Sequence, residues 1–136
     1  MKRVFVDSGG FFALLVQEDA MHTRAVALFQ HANRERWQLV TTNAVVFETY
    51  ALLLARSHTG RQNALRFLDM LTEDAYRIER VRQTDEAAAV ALVRAHEDKT
   101  YSLCDALSFV VMERVGITEA IAFDRHFRAY GRFMIL

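Results

Sequence analysis

Short unbroken apolar runs alternate along the chain with longer stretches in which apolar residues recur at helical spacing. Arg3 to Val6 is such a run, ended by Asp7, and predicts a buried strand. Gly9 and Gly10 predict a turn before the apolar segment Phe11 to Val16. From His22 to Arg36, the positions Ala25, Val26, Leu28, Phe29 and Ala32 predict an amphipathic helix. Gln38 to Thr41 predicts a second strand, leading into a helix from Asn43 that Thr42 or Asn43 can cap. After Thr59 and Gly60 a further amphipathic helix carries Ala64, Leu65, Phe67, Leu68 and Leu71. Tyr76 to Val81 alternates Tyr, Ile and Val with Arg and Glu, which is strand periodicity. Thr84 or Asp85 is placed to cap a helix over Glu86 to Glu97, and Ser102 to start another that Gly116 closes. Ile121 to Phe123 and Phe133 to Leu136 predict two last strands.

Strands that take turns with helices in this way define an α/β fold: a mostly parallel five-stranded sheet covered on both faces by helices. In such sheets ligands bind at the carboxyl ends of the strands. With no proline, repeat or linker-like stretch to divide them, residues 1–136 are expected to form a single domain.

Four carboxylates stand out from this apolar frame. Asp7 and Asp124 follow the first and fourth predicted strands, on the ligand side of the sheet. Glu48 interrupts the helical run Ala44 to Leu54, and Asp105 interrupts Leu103 to Met112. The helical neighbours of Glu48 are Ala44, Val45, Ala51 and Leu52; those of Asp105 are Tyr101, Ser102, Ser108 and Phe109. No Lys or Arg stands among them. A buried unpaired carboxylate costs several kcal/mol, so each needs a cation or a proton. One such acid is explained by a cap or a distant arginine. Four aimed at one crevice point to a metal site, and hard oxygen donors without paired His or Cys favour Mg²⁺ or Mn²⁺. Such a site suits phosphoryl chemistry, with water activated and charge on a phosphate neutralised.

Composition excludes more than it proposes. The chain is 52% hydrophobic and 25% charged, as in ordinary globular proteins, and its apolar stretches are too short to span a bilayer. The start MKRVFVDSGG lacks a signal-peptide pattern, so a cytoplasmic location is expected. The one cysteine, Cys104, excludes an internal disulfide framework and a multi-thiolate zinc site. The formal net charge is zero, so no bulk basic signature announces a nucleic-acid partner. All but two of the 17 basic residues are arginines, which suit bidentate phosphate contacts, although genome composition alone can produce that bias.

The ordered pattern Val6-Asp7-Ser8, Thr42-Asn43 through Phe47-Glu48, Tyr101 through Asp105-Ala106, and Ala122-Phe123-Asp124-Arg125-His126-Phe127, with Gly131 near the end, resembles the PIN domain. The resemblance covers essentially the whole chain and is nearest to the VapC-like toxins of bacterial toxin–antitoxin pairs. It implies a three-layer fold with a five-stranded, mainly parallel sheet, and Mg²⁺- or Mn²⁺-dependent endonucleolytic cleavage of RNA. Asp7, Glu48, Asp105 and Asp124 would be the catalytic and metal-binding residues. A homodimer and inhibition by a cognate antitoxin are implied as well, and the Tyr50 to Leu54 and Phe67 to Leu71 stretches offer apolar surface for such contacts. Ser8, Asn43 and Ser102 match polar family positions, although capping and turn formation also explain them. Many relatives carry another Asp two residues after the last core acid; this chain has His126 there, which bears on the second metal site.

Other readings compete less well. A thiol hydrolase would need an activated Cys104, which instead sits in an apolar helix with no basic neighbour. A phosphoaspartyl enzyme built on Asp7 would normally have an acid where Gly9 stands. A non-catalytic RNA- or partner-binding module on the same fold is expected to lose some of the four acids. His22, His31, His58 and His96 are expected at the surface, and Asp98 in a solvated loop.

Overall fold

The computed structural model describes residues 1–136. Five strands, β1 (Arg3–Val6), β2 (Gln38–Thr42), β3 (Tyr76–Glu79), β4 (Glu119–Ile121) and β5 (Met134–Ile135), form one sheet. Seven helices connect and cover them: α1 (Ser8–Leu15), α2 (His22–Arg34), α3 (Asn43–Arg56), α4 (Gly60–Met70), α5 (Gln83–Ala95), α6 (Leu103–Val115) and α7 (Arg125–Tyr130). The strand order is β3-β2-β1-β4-β5 and every neighbouring pair is parallel, so the sheet is wholly rather than mostly parallel. Successive strands run outward from β1 to β3, and the chain then returns to place β4 on the other side of β1. That reversal puts the topological switch point between β1 and β4, where open α/β sheets form their ligand crevice.

Val4, Phe5 and Val6 are fully buried, as expected of a central parallel strand covered on both faces. Phe11 of α1 packs against Phe29, Phe67 and Tyr76, drawing α2, α4 and β3 together. A second aromatic cluster gathers Phe109 of α6 with Tyr101, Phe127 and Tyr130, which fixes α7 against α6.

Several local expectations are corrected. Gly9 and Gly10 do not make a turn but lie in the first turns of α1. A Cβ on Gly10 would meet the Ile121 carbonyl oxygen at 3.0 Å and the Val6 side chain at 3.2 Å, so the glycine serves close approach of helix to strands. The fourth strand is Glu119–Ile121, not Ile121 to Phe123, because the ladder with β1 ends at the Val6–Ile121 pair. Helix α5 begins at Gln83, with Asp85 in its first turn rather than at its cap. Asp85 accepts from the Arg82 N–H at 2.8 Å and from Arg114 at 2.9 Å through each carboxylate oxygen, a pair of a buried acid and a half-buried arginine that ties α5 to α6. Helix α2 ends at Arg34, and Arg36 takes a positive φ of 56° while the Trp37 N–H closes on the Ala32 carbonyl at 3.0 Å. That is a Schellman closure without the usual glycine. Gly116, at φ 74°, closes α6 as expected. Within the two apolar stretches, Leu53 and Phe67 are buried in the core; the exposed large apolar residues of α3 and α4 are Phe47, Leu54, Leu65 and Leu68.

Candidate active site

Three of the four acids stand at helix beginnings. Asp7 directly follows β1 and precedes α1; its N–H completes the ladder to the Ile121 carbonyl at 3.1 Å, and its own carbonyl accepts from the Gly10 and Phe11 N–H groups. Asp124 lies three residues beyond β4 and caps α7, its Oδ1 accepting from the His126 N–H at 2.8 Å. Asp105 is the third residue of α6. Its Oδ2 accepts from the Ser102 N–H at 3.2 Å while the Ser102 Oγ accepts from the Asp105 N–H at 3.0 Å, a reciprocal capping box. Positive helix ends favour carboxylates here. Glu48 comes from the second turn of α3 and is half-buried.

The electrostatics show that these acids share one environment. Asp7 is 2% exposed, and its pKa is pushed up to about 8, by burial first and then by the charges of Asp105, Glu48 and Asp124, with the Ser8 N–H pulling the other way. Asp105 is raised as well, by burial and then Asp124, against the stabilising hydrogen bonds from Ser102. The Cys104 thiol is pushed far up by burial and by Glu48, Asp7 and Asp105, so it stays protonated and inert as expected, though it faces the acids rather than plain apolar core.

These residues fit a divalent cation. Asp7 Oδ1 is buried without any hydrogen-bond partner, a group that calls for a proton or a cation. Asp105, Asp124 and His126 each offer a ligand atom, and the three atoms lie within 4.8 Å of one another. The sequence singled out His126 as a departure from the family pattern that bears on the second metal site, and the structure brings it beside Asp105 and Asp124.

Beside the acids is a cavity of about 320 Å³ whose walls include Asp7, Ser8, Asp124, Leu52, Asp19 and Arg56. Arg56 and Asp19 were missed in the sequence. Arg56 had a signal: Glu48, Leu52 and Arg56 step along α3 by fours, which keeps them near one side of the helix. A larger cavity of about 690 Å³ lies at the opposite, amino ends of the strands beside Trp37 and Tyr76, away from the clustered acids. Among the polar family positions, Ser8 lines the smaller cavity and Ser102 caps α6, whereas Asn43 Oδ1 accepts from the Val81 N–H at 2.9 Å and holds the chain beyond β3. Asp98 is exposed beside Lys99, as expected. His31 and His58 are exposed, but His22 and His96 are half-buried, their Nδ1 atoms against the Ala13 and Leu92 carbonyls at 2.8 and 2.9 Å.

An all-parallel sheet of this order, with carboxylates gathered where it reverses, defines a class that the comparisons with known proteins identify. The PIN domain family model matches residues 4–132, and the chain belongs to the PIN-domain family. It is 34% identical over 128 residues to the 23S rRNA-specific endonuclease VapC20 of Mycobacterium tuberculosis, covering 94% of each chain. The crystal structure of that organism's VapC20, a Sarcin-Ricin loop cleaving toxin, superposes with a TM-score of 0.87 at 32% identity, over 97% of this chain and 98% of that one. VapBC2 from Rickettsia felis, bound to a DNA fragment from its promoter, superposes with a TM-score of 0.69 at 10% identity over 98% and 97% of the two chains, a likeness of fold alone.

Proposed function

We propose that this chain is a Mg²⁺- or Mn²⁺-dependent endoribonuclease, the toxin of a toxin–antitoxin pair, with Asp7, Glu48, Asp105 and Asp124 as its site residues. The observation that carries this reading is the Asp7 carboxylate: nearly inaccessible, without a partner for Oδ1, and raised by burial first and then by three neighbouring acids. The Ser8 N–H offsets only part of that burial and repulsion, so a cation is the natural complement. The likeness to VapC20 over nearly the whole chain favours a structured ribosomal RNA loop as substrate.

Asp7, Asp105 and Asp124 would hold the cation through oxygens not engaged in helix capping. When bound, it would lower the pKa of a coordinated water and offset charge developing on the scissile phosphate. Glu48 would orient the attacking water and accept its proton, or complete the ligand set. Arg56, on the wall of the cavity shared by Asp7 and Asp124, is placed to grip a flanking phosphate. Because water attacks, no 2′-hydroxyl takes part, and the products are a 5′-phosphate and a 3′-hydroxyl.

Exposed Phe47, Leu54, Leu65 and Leu68 on α3 and α4 support a homodimer or a cognate antitoxin as the partner that covers them. No helix is long and apolar enough to cross a membrane, and a cytoplasmic place of action suits the proposed substrate. A binding module without catalysis is less favoured, because all four acids are retained and brought close enough to couple.

Cleavage of a ribosomal RNA loop by purified protein tests the reading. Activity with Mn²⁺ or Mg²⁺ that vanishes in EDTA and in Asp7→Asn is expected. Full activity in EDTA, or a 2′,3′-cyclic phosphate product, would overturn it.

A further inference from the structure

We propose that His126 supplies an imidazole nitrogen to the cation held by Asp105 and Asp124, making a mixed oxygen and nitrogen site that prefers Mn²⁺ and other first-row transition cations to Mg²⁺. The proposal rests on the metal-dependent reading above and adds the ligand that sets metal choice. Ligand atoms of Asp105, Asp124 and His126 fall within 4.8 Å of one another. Around a cation with bonds of about 2.1 Å, opposite ligands stand about 4 Å apart and adjacent ones about 3 Å, so side-chain rotation that draws the three atoms inward completes the site.

One contact fixes the backbone of His126 and another its ring. The backbone N–H of His126 donates to Asp124 Oδ1 at 2.8 Å, which locks residue 126 to its neighbouring acid. The Tyr101 ring meets the imidazole edge-on at 5.4 Å and 84°, and Tyr101 is itself buried against Phe109 at 5.3 Å. A solvated histidine would not need this support. Asp7, whose Oδ1 has no partner, lies on the wall of a cavity that Asp124 also lines, and independently calls for a positive charge on that side of Asp124.

The chemical consequence follows from ligand hardness. Mg²⁺ is served by carboxylate, carbonyl and water oxygens, whereas imidazole suits first-row transition ions. An imidazole at position 126, rather than a third carboxylate, leaves the site with one hard oxygen donor fewer, which weakens Mg²⁺ more than Mn²⁺.

Electron spin-echo spectroscopy of the protein with one equivalent of Mn²⁺ tests this without relying on activity. Nitrogen modulation is expected, changing to the ¹⁵N pattern when the unmutated protein is labelled with ¹⁵N-histidine, so the test does not depend on any variant folding. His126→Asp should lose the modulation and His96→Gln should keep it. In competition, the Mg²⁺ needed to displace Mn²⁺ should fall at least about tenfold in His126→Asp, the scale on which changes around a metal move its affinity. Mn²⁺ bound in an Asp105- and Asp124-dependent manner without nitrogen modulation, or with unchanged Mg²⁺ competition, overturns the role of His126 and leaves the nuclease reading standing. Failure to bind Mn²⁺ at all overturns both.

Discussion

Ser102 and Asp105 cap one another: each backbone N–H donates to the other's side chain, at 3.2 and 3.0 Å. The cap therefore sets where an active-site carboxylate points. Ser102→Ala removes one of the two bonds and should cost about 1 kcal/mol of stability, the usual worth of such a cap. It should also weaken Mn²⁺ binding several-fold, because Asp105 keeps its charge but loses its anchor. Urea midpoints and isothermal titration of the variant measure the two effects. Unchanged Mn²⁺ affinity would show that the cap is structural only.

The raised pKa of Asp7 makes the metal-free protein sensitive to pH in a defined direction. The group binds a proton in the folded state up to about pH 8 and in the unfolded chain only up to about 3.8. Stability from this group is full below the lower value and is lost as pH rises through the upper one. Asp85 acts oppositely: although burial raises it, the Arg114 and Arg82 bonds prevail and lower its pKa, so its contribution is lost only at acid pH. In EDTA the melting temperature should fall between pH 5 and about 8, and Asp7→Asn should flatten that slope. Cation binding displaces the same proton, so affinity should rise with pH over the same window. Calorimetry in buffers of different ionisation enthalpy counts the protons released; none at pH 6.5 would mean that Asp7 is ionised before the cation arrives.

Arg56 shares the cavity wall with Asp7 and Asp124 and is expected to act on RNA rather than on metal. Arg56→Ala should raise KM for the RNA about tenfold, in keeping with the roughly 1.5–3 kcal/mol scale of a hydrogen bond to a charged group. Mn²⁺ affinity should not fall. A variant with unchanged KM would place the RNA backbone elsewhere.

The acids were legible in the sequence because each violates its own surroundings. Asp7 ends an apolar strand, while Glu48 and Asp105 interrupt apolar helices, and these are local signals. What was hidden depends on residues distant in the chain. Asp85 read as a cap and does accept from the Arg82 N–H at the start of α5, but it is also held by Arg114, and no local pattern announces a pair formed between two helices. Gly10 carried a turn signal, but the approach of α1 to Val6 and Ile121 decides its use. Ala122 and Phe123 are apolar enough to read as strand, and only the end of the ladder at Ile121 excludes them. The position of His126 bore on a metal site in the sequence, but the packing of Tyr101 against its ring and its part in the cap of α7 are not revealed by spacing.

Asp124 combines a cap with a site charge, so two substitutions should part company. Asp124→Asn keeps an oxygen acceptor for the His126 N–H and removes a charge that raises both Asp7 and Asp105. Asn and Asp cap helices about equally well, so relief of repulsion should dominate in the absence of metal. In EDTA this variant should be inactive yet melt at the parent's temperature or above, the usual opposition of activity and stability at a site of gathered like charges. Asp124→Ala relieves the same repulsion but loses the cap, about 1 kcal/mol, and should melt below Asp124→Asn. Mn²⁺ should stabilise the parent by about 2.7 kcal/mol at a hundredfold excess over its dissociation constant, because it binds only the folded state. Both variants should gain less. Should Asp124→Asn unfold the protein in EDTA while Mn²⁺ shifts parent and variant equally, Asp124 would be a structural residue and the cation would lie elsewhere.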